Sequence, residues 1–390
     1  MSLFKIQTLN TISRNGLDRL PAQLYDVAND VVAPDALLLR SADLHATAIA
    51  PSVKAIARAG AGVNNIPVAE LSARGVPVFN APGANANAVK ELVVAGMLIA
   101  ARNLGDALAF VRGLDAGGNL DHRVEAEKKR FVGSELAGRT LGVVGLGAIG
   151  VKVANAAHAL GMRVLGFDPH MTVEGAWQLS SDVAKAGSLA ELYVASDYIT
   201  FHVPLNDKTR GIFGASALES ARRGVVLLNF AREGIVDPAI LRSGLSSGRI
   251  GRYVSDFPAA DLLSDPRVIA LPHLGASTGE AEENCALMVV DQLRDFLENG
   301  NVRNSVNFPE TRMARAGTAR ICVANRNRPN MIGQLSQVLG EAGVNIAQMH
   351  NASRADLAYT LVDADSPVTG ALVDAIAAID GILSVRVIPG

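Results

Sequence analysis

Eight consecutive residues, Val143–Gly150 (VVGLGAIG), constrain this chain more than any other stretch. They set a G-x-G-x-x-G series directly after an apolar run and directly before VKVANAAHAL, a segment of good helix formers. In that setting each glycine has a task. Gly145 permits the tight turn, Gly147 lets backbone N–H groups approach a pyrophosphate, and Gly150 allows close helix packing, while Ala148 and Ile149 open the helix whose start attracts the anion. A following apolar run ends in Asp168, 18 residues after Gly150, where a carboxylate can bind ribose hydroxyls and repel an additional phosphate. The expected cofactor is NAD rather than NADP, carried on a parallel sheet with helices on its faces.

At about 150 residues per domain, 390 residues make two or three domains. Hydrophobic residues reach 49% while aromatics are only 4%, so the cores must be built from Ala, Val, Leu and Ile, an α/β composition. Lys plus Arg (36) nearly balances Asp plus Glu (38), which gives no bulk pull toward nucleic acid or an anionic membrane. Cys285 and Cys322 lack CxxC spacing and nearby histidines, so neither a disulfide framework nor a metal site is expected. The start, MSLFKIQTLN, lacks a charged segment followed by an apolar run, and no uncharged apolar stretch is long enough to span a bilayer. A cytoplasmic protein is expected.

Short apolar runs (Ala36 to Leu39, Val53 to Ile56, Val76 to Phe79) alternate with helical patterns in the first 79 residues and read as βα units. Residues 88–101, AVKELVVAGMLIAA, suit a helix buried between lobes or subunits. A second βα series starts at Thr140, and a long amphipathic run from Gly279 stops at Asn299 and Gly300. The polar stretch 301–317 reads as a linker. Beyond it the pattern is strand, helix, strand, strand, helix, strand, the order of a ferredoxin-like unit.

Two further segments place reactive side chains past the carboxyl ends of strands, the rim where open α/β sheets bind ligands. In NFAREGIVD, Arg232 can grip a carboxylate with two hydrogen bonds. In LPHLGAST, His273 follows the last apolar strand, with Asp261 in the loop before it. A histidine held by a carboxylate suits proton transfer near neutral pH. Beside a dinucleotide fingerprint, the three suggest proton transfer coupled to hydride transfer.

GLGAIG with Asp168, HVPL (His202 to Leu205), NFAREGIVD and PHLGAST together resemble the D-2-hydroxyacid dehydrogenase family over about the first 310 residues. Within it, RAGAGVNNIP (Arg58 to Pro67) and FNAPGANANAVKEL (Phe79 to Leu92) are similar to the branch that oxidises D-3-phosphoglycerate to 3-phosphohydroxypyruvate, the opening step of serine synthesis. The tail resembles the ACT regulatory module through NRPNMIG (Asn327 to Gly333) and GVNIA (Gly343 to Ala347). The resemblance implies that Arg232, Asp261 and His273 are catalytic. Counting from Arg232 or Asp256 reaches Asp261, whereas anchoring on Phe257 reaches Ala260; Asp261 is preferred because an alanine cannot orient the histidine. It further implies cofactor contacts from His202, Val203, Pro204, Thr209, Ala231, Asp256 and Gly275. Arg58, Gly62, Val63, Lys129, Arg130 and Arg232 would meet the carboxylate and phosphate of the substrate. Asn327 and Asn345 match the asparagines that hold an effector in such enzymes, and Asn325 stands at an effector-binding place where they can have His, with L-serine the expected effector.

These readings give two Rossmann-like or flavodoxin-like parallel-sheet lobes plus a ferredoxin-like βαββαβ ACT domain. The expected division is a substrate lobe of residues 1–97 and 278–310, an NAD lobe of 98–277 and a regulatory domain of 318–390, assembled as a homodimer or homotetramer. Two rivals remain: a dehydrogenase of another D-2-hydroxy acid, and an NAD-sensing binding protein similar to the C-terminal binding protein corepressors.

Overall fold

β-branched and aliphatic runs bounded by Gly and Pro become the strands of three sheets. The structure, a computed structural model, describes residues 3–115, 117 and 119–390. The chain divides into two units, one of Met1–Asn85 with Gly279–Gly390 and one of Ala86–Thr278.

In the first unit β1 (Phe4–Leu9), β2 (Tyr25–Ala28), β3 (Ala36–Leu39), β4 (Ala55–Arg58) and β5 (Val78–Phe79) form a parallel sheet in the order β2-β1-β3-β4-β5. This is the flavodoxin-like order. All four residues of β3 are buried, as a strand covered on both faces requires. The helix Gly279–Asn299 buries Cys285, Val289, Leu293 and Phe296 against this sheet, at the three- and four-residue spacing of a single helix face.

The second unit holds β6 (Thr140–Val144), β7 (Arg163–Phe167), β8 (Ala184–Lys185), β9 (Tyr198–Phe201), β10 (Val225–Asn229), β11 (Ile250–Ser255) and β12 (Val268–Ala270). They run parallel in the order β12-β11-β10-β9-β6-β7-β8, so the winding reverses between β6 and β9. That reversal is the switch point at which doubly wound sheets bind ligands. The apolar helix expected over 88–101 spans Ala86–Arg102 and belongs wholly to this unit. Val89, Val93 and Met97 pack with Val143, Val151 and Leu228. The expected boundary at residue 97 would cut that helix.

The tail follows the expected order: β13 (Ala319–Arg326), a helix, β14 (Ile346–Arg354), β15 (Leu357–Ala364), a helix and β16 (Ile382–Pro389). Its antiparallel sheet runs β14-β15-β13-β16. Every residue of β15 is buried, so both faces of this sheet are covered. Ile321, Val323 and Val362 pack under the tail's own helices. Cys322, Ala324, Leu357, Tyr359, Leu361 and Ile388 join the core of the five-stranded sheet.

Residues 301–317 are not a free linker. Val302, Thr311 and Phe308 are at most 1% exposed. Val302 and Thr311 exchange backbone hydrogen bonds, and Ser305 bridges to Phe79. Buried Asn307 accepts from the Val78 N–H (2.9 Å) and donates to the Val76 carbonyl (3.0 Å). The polar residues that suggested solvent instead satisfy the backbone of a strap laid across β5.

Among the described residues no single helix is long and apolar enough to cross a membrane, and no cluster of three His, Cys, Asp or Glu could hold a metal ion.

Candidate active site

β6 is buried along its whole length and delivers Gly145 to the switch point with φ +92°, a left-handed conformation that side chains disfavour. A Cβ on Gly145 would lie 2.6 Å from the His202 carbonyl oxygen, and one on Gly150 would lie 1.9 Å from the Gly145 carbonyl oxygen. These two glycines are required by the protein's own backbone. Gly147 differs, because nothing lies within 4 Å of the Cβ it lacks. It precedes the helix Ala148–Ala159, whose start carries no side-chain cap, so the first N–H groups there face an open position.

Asp168, just past β7, accepts from the Leu146 N–H (2.8 Å) with one oxygen and from the His170 N–H (2.8 Å) with the other. Each oxygen keeps a lone pair for a further donor. An uncapped helix start, an open glycine and a fixed carboxylate fit the pyrophosphate and ribose of a dinucleotide.

Beyond β9, the Nε2 of His202 lies 3.0 Å from Thr200 Oγ1, while its buried Nδ1 has no partner. Burial pulls this imidazole down to about 3, so the ring is neutral across the working pH range. Val203 and Pro204 continue the rim, and Thr209 closes it by donating to the Pro204 carbonyl (2.5 Å) and accepting from the Asn206 N–H (2.9 Å).

The loop after β10 is built around Asn229, which sequence reasoning passed over. Its side chain, 1% exposed, donates to the Arg232 carbonyl (3.0 Å) and to Tyr253 Oη (3.2 Å) and accepts from the Ala231 N–H (3.2 Å). The turn so formed presents Arg232 at the surface, one guanidinium nitrogen donating to the Ala231 carbonyl (2.6 Å).

After β11, buried Asp256 accepts from the Leu274 N–H (2.7 Å) and the Gly275 N–H (2.8 Å). A Cβ on Gly275 would crowd that carboxylate at 3.0 Å. Asp256 therefore clamps the turn that follows His273, and His273 itself sits at φ +57°. Such a conformation costs about 1–3 kcal/mol for a non-glycine residue and persists only where neighbours impose it. The ring is exposed, 5.0 Å from that of Phe257, a neighbour that only the Asp256-Phe257 adjacency in the sequence could have flagged.

The structure does not bring Asp261 to His273. Asp261 lies on a short 3₁₀ turn, Ala260–Leu262, that aims its carboxylate at Arg242 of the helix Pro238–Ser246, 2.6 Å away. Among the described residues no carboxylate is hydrogen-bonded to the His273 ring.

In the first unit, Arg58 ends β4 and donates from Nε to the Arg40 carbonyl (3.0 Å). Gly60 makes room for its guanidinium, since a Cβ there would lie 2.5 Å from Arg58 Nη1. The N–H groups of Gly62 and Val63 have no acceptor among the described residues. In the second unit, Lys129 and Arg130 lie exposed on the turn Lys128–Phe131, with Arg130 paired to Glu127 at 2.7 Å. In the tail, Asn327 donates to the Ala355 carbonyl (2.9 Å), Asn345 to Asp365 (2.8 Å) and buried Asn325 to the Arg326 carbonyl (2.7 Å).

Residues 94–275 match the family model described as "D-isomer specific 2-hydroxyacid dehydrogenase, NAD binding domain". The chain is 35% identical over 317 residues to D-3-phosphoglycerate dehydrogenase of Methanocaldococcus jannaschii, covering 80% of this chain and 56% of that one. It is 31% identical over 351 residues to D-3-phosphoglycerate dehydrogenase of Haemophilus influenzae, covering 87% and 82%. Among solved structures, NAD⁺-bound 3-phosphoglycerate dehydrogenase of Entamoeba histolytica superposes with TM-score 0.60 at 25% identity, covering 78% of this chain and 99% of the other.

Proposed function

The chain belongs to the D-isomer specific 2-hydroxyacid dehydrogenases, NAD-dependent oxidoreductases, and on that premise we propose that it oxidises D-3-phosphoglycerate to 3-phosphohydroxypyruvate, the first step of phosphorylated serine synthesis. Bound along Gly145–Gly150 and Asp168, NAD supplies the hydride acceptor. His273 takes the proton of the C2 hydroxyl as the hydride leaves C2. Arg232 holds the carboxylate and the oxygen that becomes the carbonyl, with two N–H donors matched to two oxygens. Asp261 enters as the acid that the protonated His273 ring would draw from Arg242. His202, Val203, Pro204, Thr209, Ala231, Asp256 and Gly275 would line the cofactor.

The single observation that carries the substrate assignment is the pair of unused N–H groups at Gly62 and Val63 in the loop that follows Arg58. Successive backbone N–H donors without an acceptor can form an anion-binding concavity. Arg58, Lys129 and Arg130 would supply the charge that a phosphate needs. A second reading, oxidation of an unphosphorylated 2-hydroxy acid, draws on Arg130 being already paired with Glu127. Steady-state NADH production with 3-phosphoglycerate, compared with lactate and glycerate, tests the two. Strong preference for 3-phosphoglycerate is expected, preference for lactate or glycerate would move the assignment to the second reading, and no turnover with any of the three would remove the enzymatic reading.

We further infer a homo-oligomer, on the strength of exposed Leu98, Leu104, Leu108, Val111, Leu120 and Val132. The tail serves as an ACT regulatory domain binding L-serine through Asn325, Asn327 and Asn345. The free thiols of Cys285 and Cys322 agree with a reducing cytoplasm.

A further inference from the structure

Asn229 ends β10 in register with Ser255 of β11, and Tyr253, two residues before Ser255, shares its face of the sheet. The Asn229 amide carries one acceptor and two donors, and all are in use. Its oxygen accepts from the Ala231 N–H (3.2 Å), while its nitrogen donates to the Arg232 carbonyl (3.0 Å) and to Tyr253 Oη (3.2 Å). Rotating the amide would break all three bonds. The turn that presents Arg232 is thus held by a side chain whose third bond ends on a phenol of the neighbouring strand.

Tyr253 is itself fixed in place. Its ring is buried and belongs to the core that includes Leu227, Leu241 and Ile250. Burial pushes the phenol up from its usual range, so the hydroxyl keeps its proton. Ser255 lies beside that hydroxyl, is buried, and accepts from the Phe257 N–H (3.0 Å). Phe257 is the residue whose ring stands 5.0 Å from that of His273. A buried polar chain, Asn229 to Tyr253 to Ser255, therefore runs under the carboxyl ends of β10 and β11 from the turn of Arg232 to that of Phe257. A phenylalanine at 253 would fill the same space, so packing alone gives the hydroxyl no task.

We infer that Tyr253 is a positioning residue, whose hydroxyl locks Asn229 and through it sets Arg232 against the turn of His273; this rests on Arg232 binding the substrate carboxylate. Tyr253→Phe keeps the ring and removes only the hydroxyl, so the variant should fold. Two measurements on the intact protein test the inference. Hydrogen exchange at the Ala231 N–H should quicken about tenfold in Tyr253→Phe while the amides of β6 keep their rates, a readout that needs no turnover. In steady state, with whichever of 3-phosphoglycerate, lactate and glycerate the wild type oxidises fastest, Tyr253→Phe should raise KM about tenfold and leave kcat within about twofold, because the carboxylate is already gripped in the ground state. Added to Arg232→Ala, the same substitution should change neither constant further, since it acts through Arg232. An unchanged exchange rate at Ala231, or a KM effect that persists undiminished in Arg232→Ala, would overturn the inference. Wild-type kinetics in Arg232→Ala, or no turnover of any of the three by the wild type, would instead remove the reading beneath it, and the inference with it.

Discussion

At the scale of single residues, the charge of Asp168, just past β7, bears on the choice of cofactor. Asp168 is fixed by two N–H donors, so its carboxylate cannot swing away from an additional phosphate. NAD should be preferred over NADP by at least about tenfold, a difference of roughly 1.4 kcal/mol, and Asp168→Ser should erase most of it, as catalytic efficiency with the two cofactors would show. His273→Ala should lower turnover by about two to four powers of ten while NADH still binds, detectable through the fluorescence of Trp177, the only tryptophan. His202 makes a statement about acidity. Its ring is pulled to about 3 when folded and sits near 6.5 when unfolded, so between those values the unfolded chain binds the extra proton. Stability from this group is therefore complete above about pH 6.5 and is lost as pH falls. Thermal midpoints measured at pH 7.5 and 5.5 should fall further apart in the wild type than in His202→Gln. Asp261 shows where residue reading stops: a count along the chain reaches this residue, but the direction of its carboxylate depends on Arg242, 19 residues earlier on another element.

At the scale of elements, what could be read was whatever repeats a local pattern. β3 begins and ends where its apolar run does, and the βαββαβ order of the tail follows its alternating periods. β2 and β8 were missed because four and two residues of mixed polarity carry no period. The strap 301–317 misled for a different reason. Its Asn and Ser side chains resemble loop chemistry, yet Ser305 and Asn307 bond backbone and each other inside the fold. The same segment meets the tail through Arg320, which is fully buried and pairs with Asp363 through Nε (2.6 Å) and Nη2 (2.7 Å). Its remaining donors reach the carbonyls of Asn299, Met313 and Ala314. Asp363→Ala should cost about 3–5 kcal/mol in denaturant unfolding, because it strands a buried cation. Adding Arg320→Met should recover only part of that loss, since three carbonyls would then lack a donor.

At the scale of the whole chain, the tail and the five-stranded sheet share one core, with Tyr359 6.2 Å from Phe308 of the strap. If serine binds the tail, the intact protein should be inhibited at millimolar serine, and substitution of Asn327 or Asn345 by Ala should relieve the inhibition. Binding that leaves turnover unchanged would keep the site and discard the coupling, since a ligand shifts an equilibrium only by favouring one of its states. A chain ending at residue 317 should bind a hydrophobic dye and aggregate, because it uncovers the core that Leu357, Tyr359, Leu361 and Ile388 complete. The two-sided burial of that sheet also sets how the protein comes apart. A protease that nicks the strap would leave two fragments still held together, and hydrogen exchange in β13 and β15 should be as slow as in β3 and β4, so the tail is not a detachable cassette to be traded between enzymes without its matching floor.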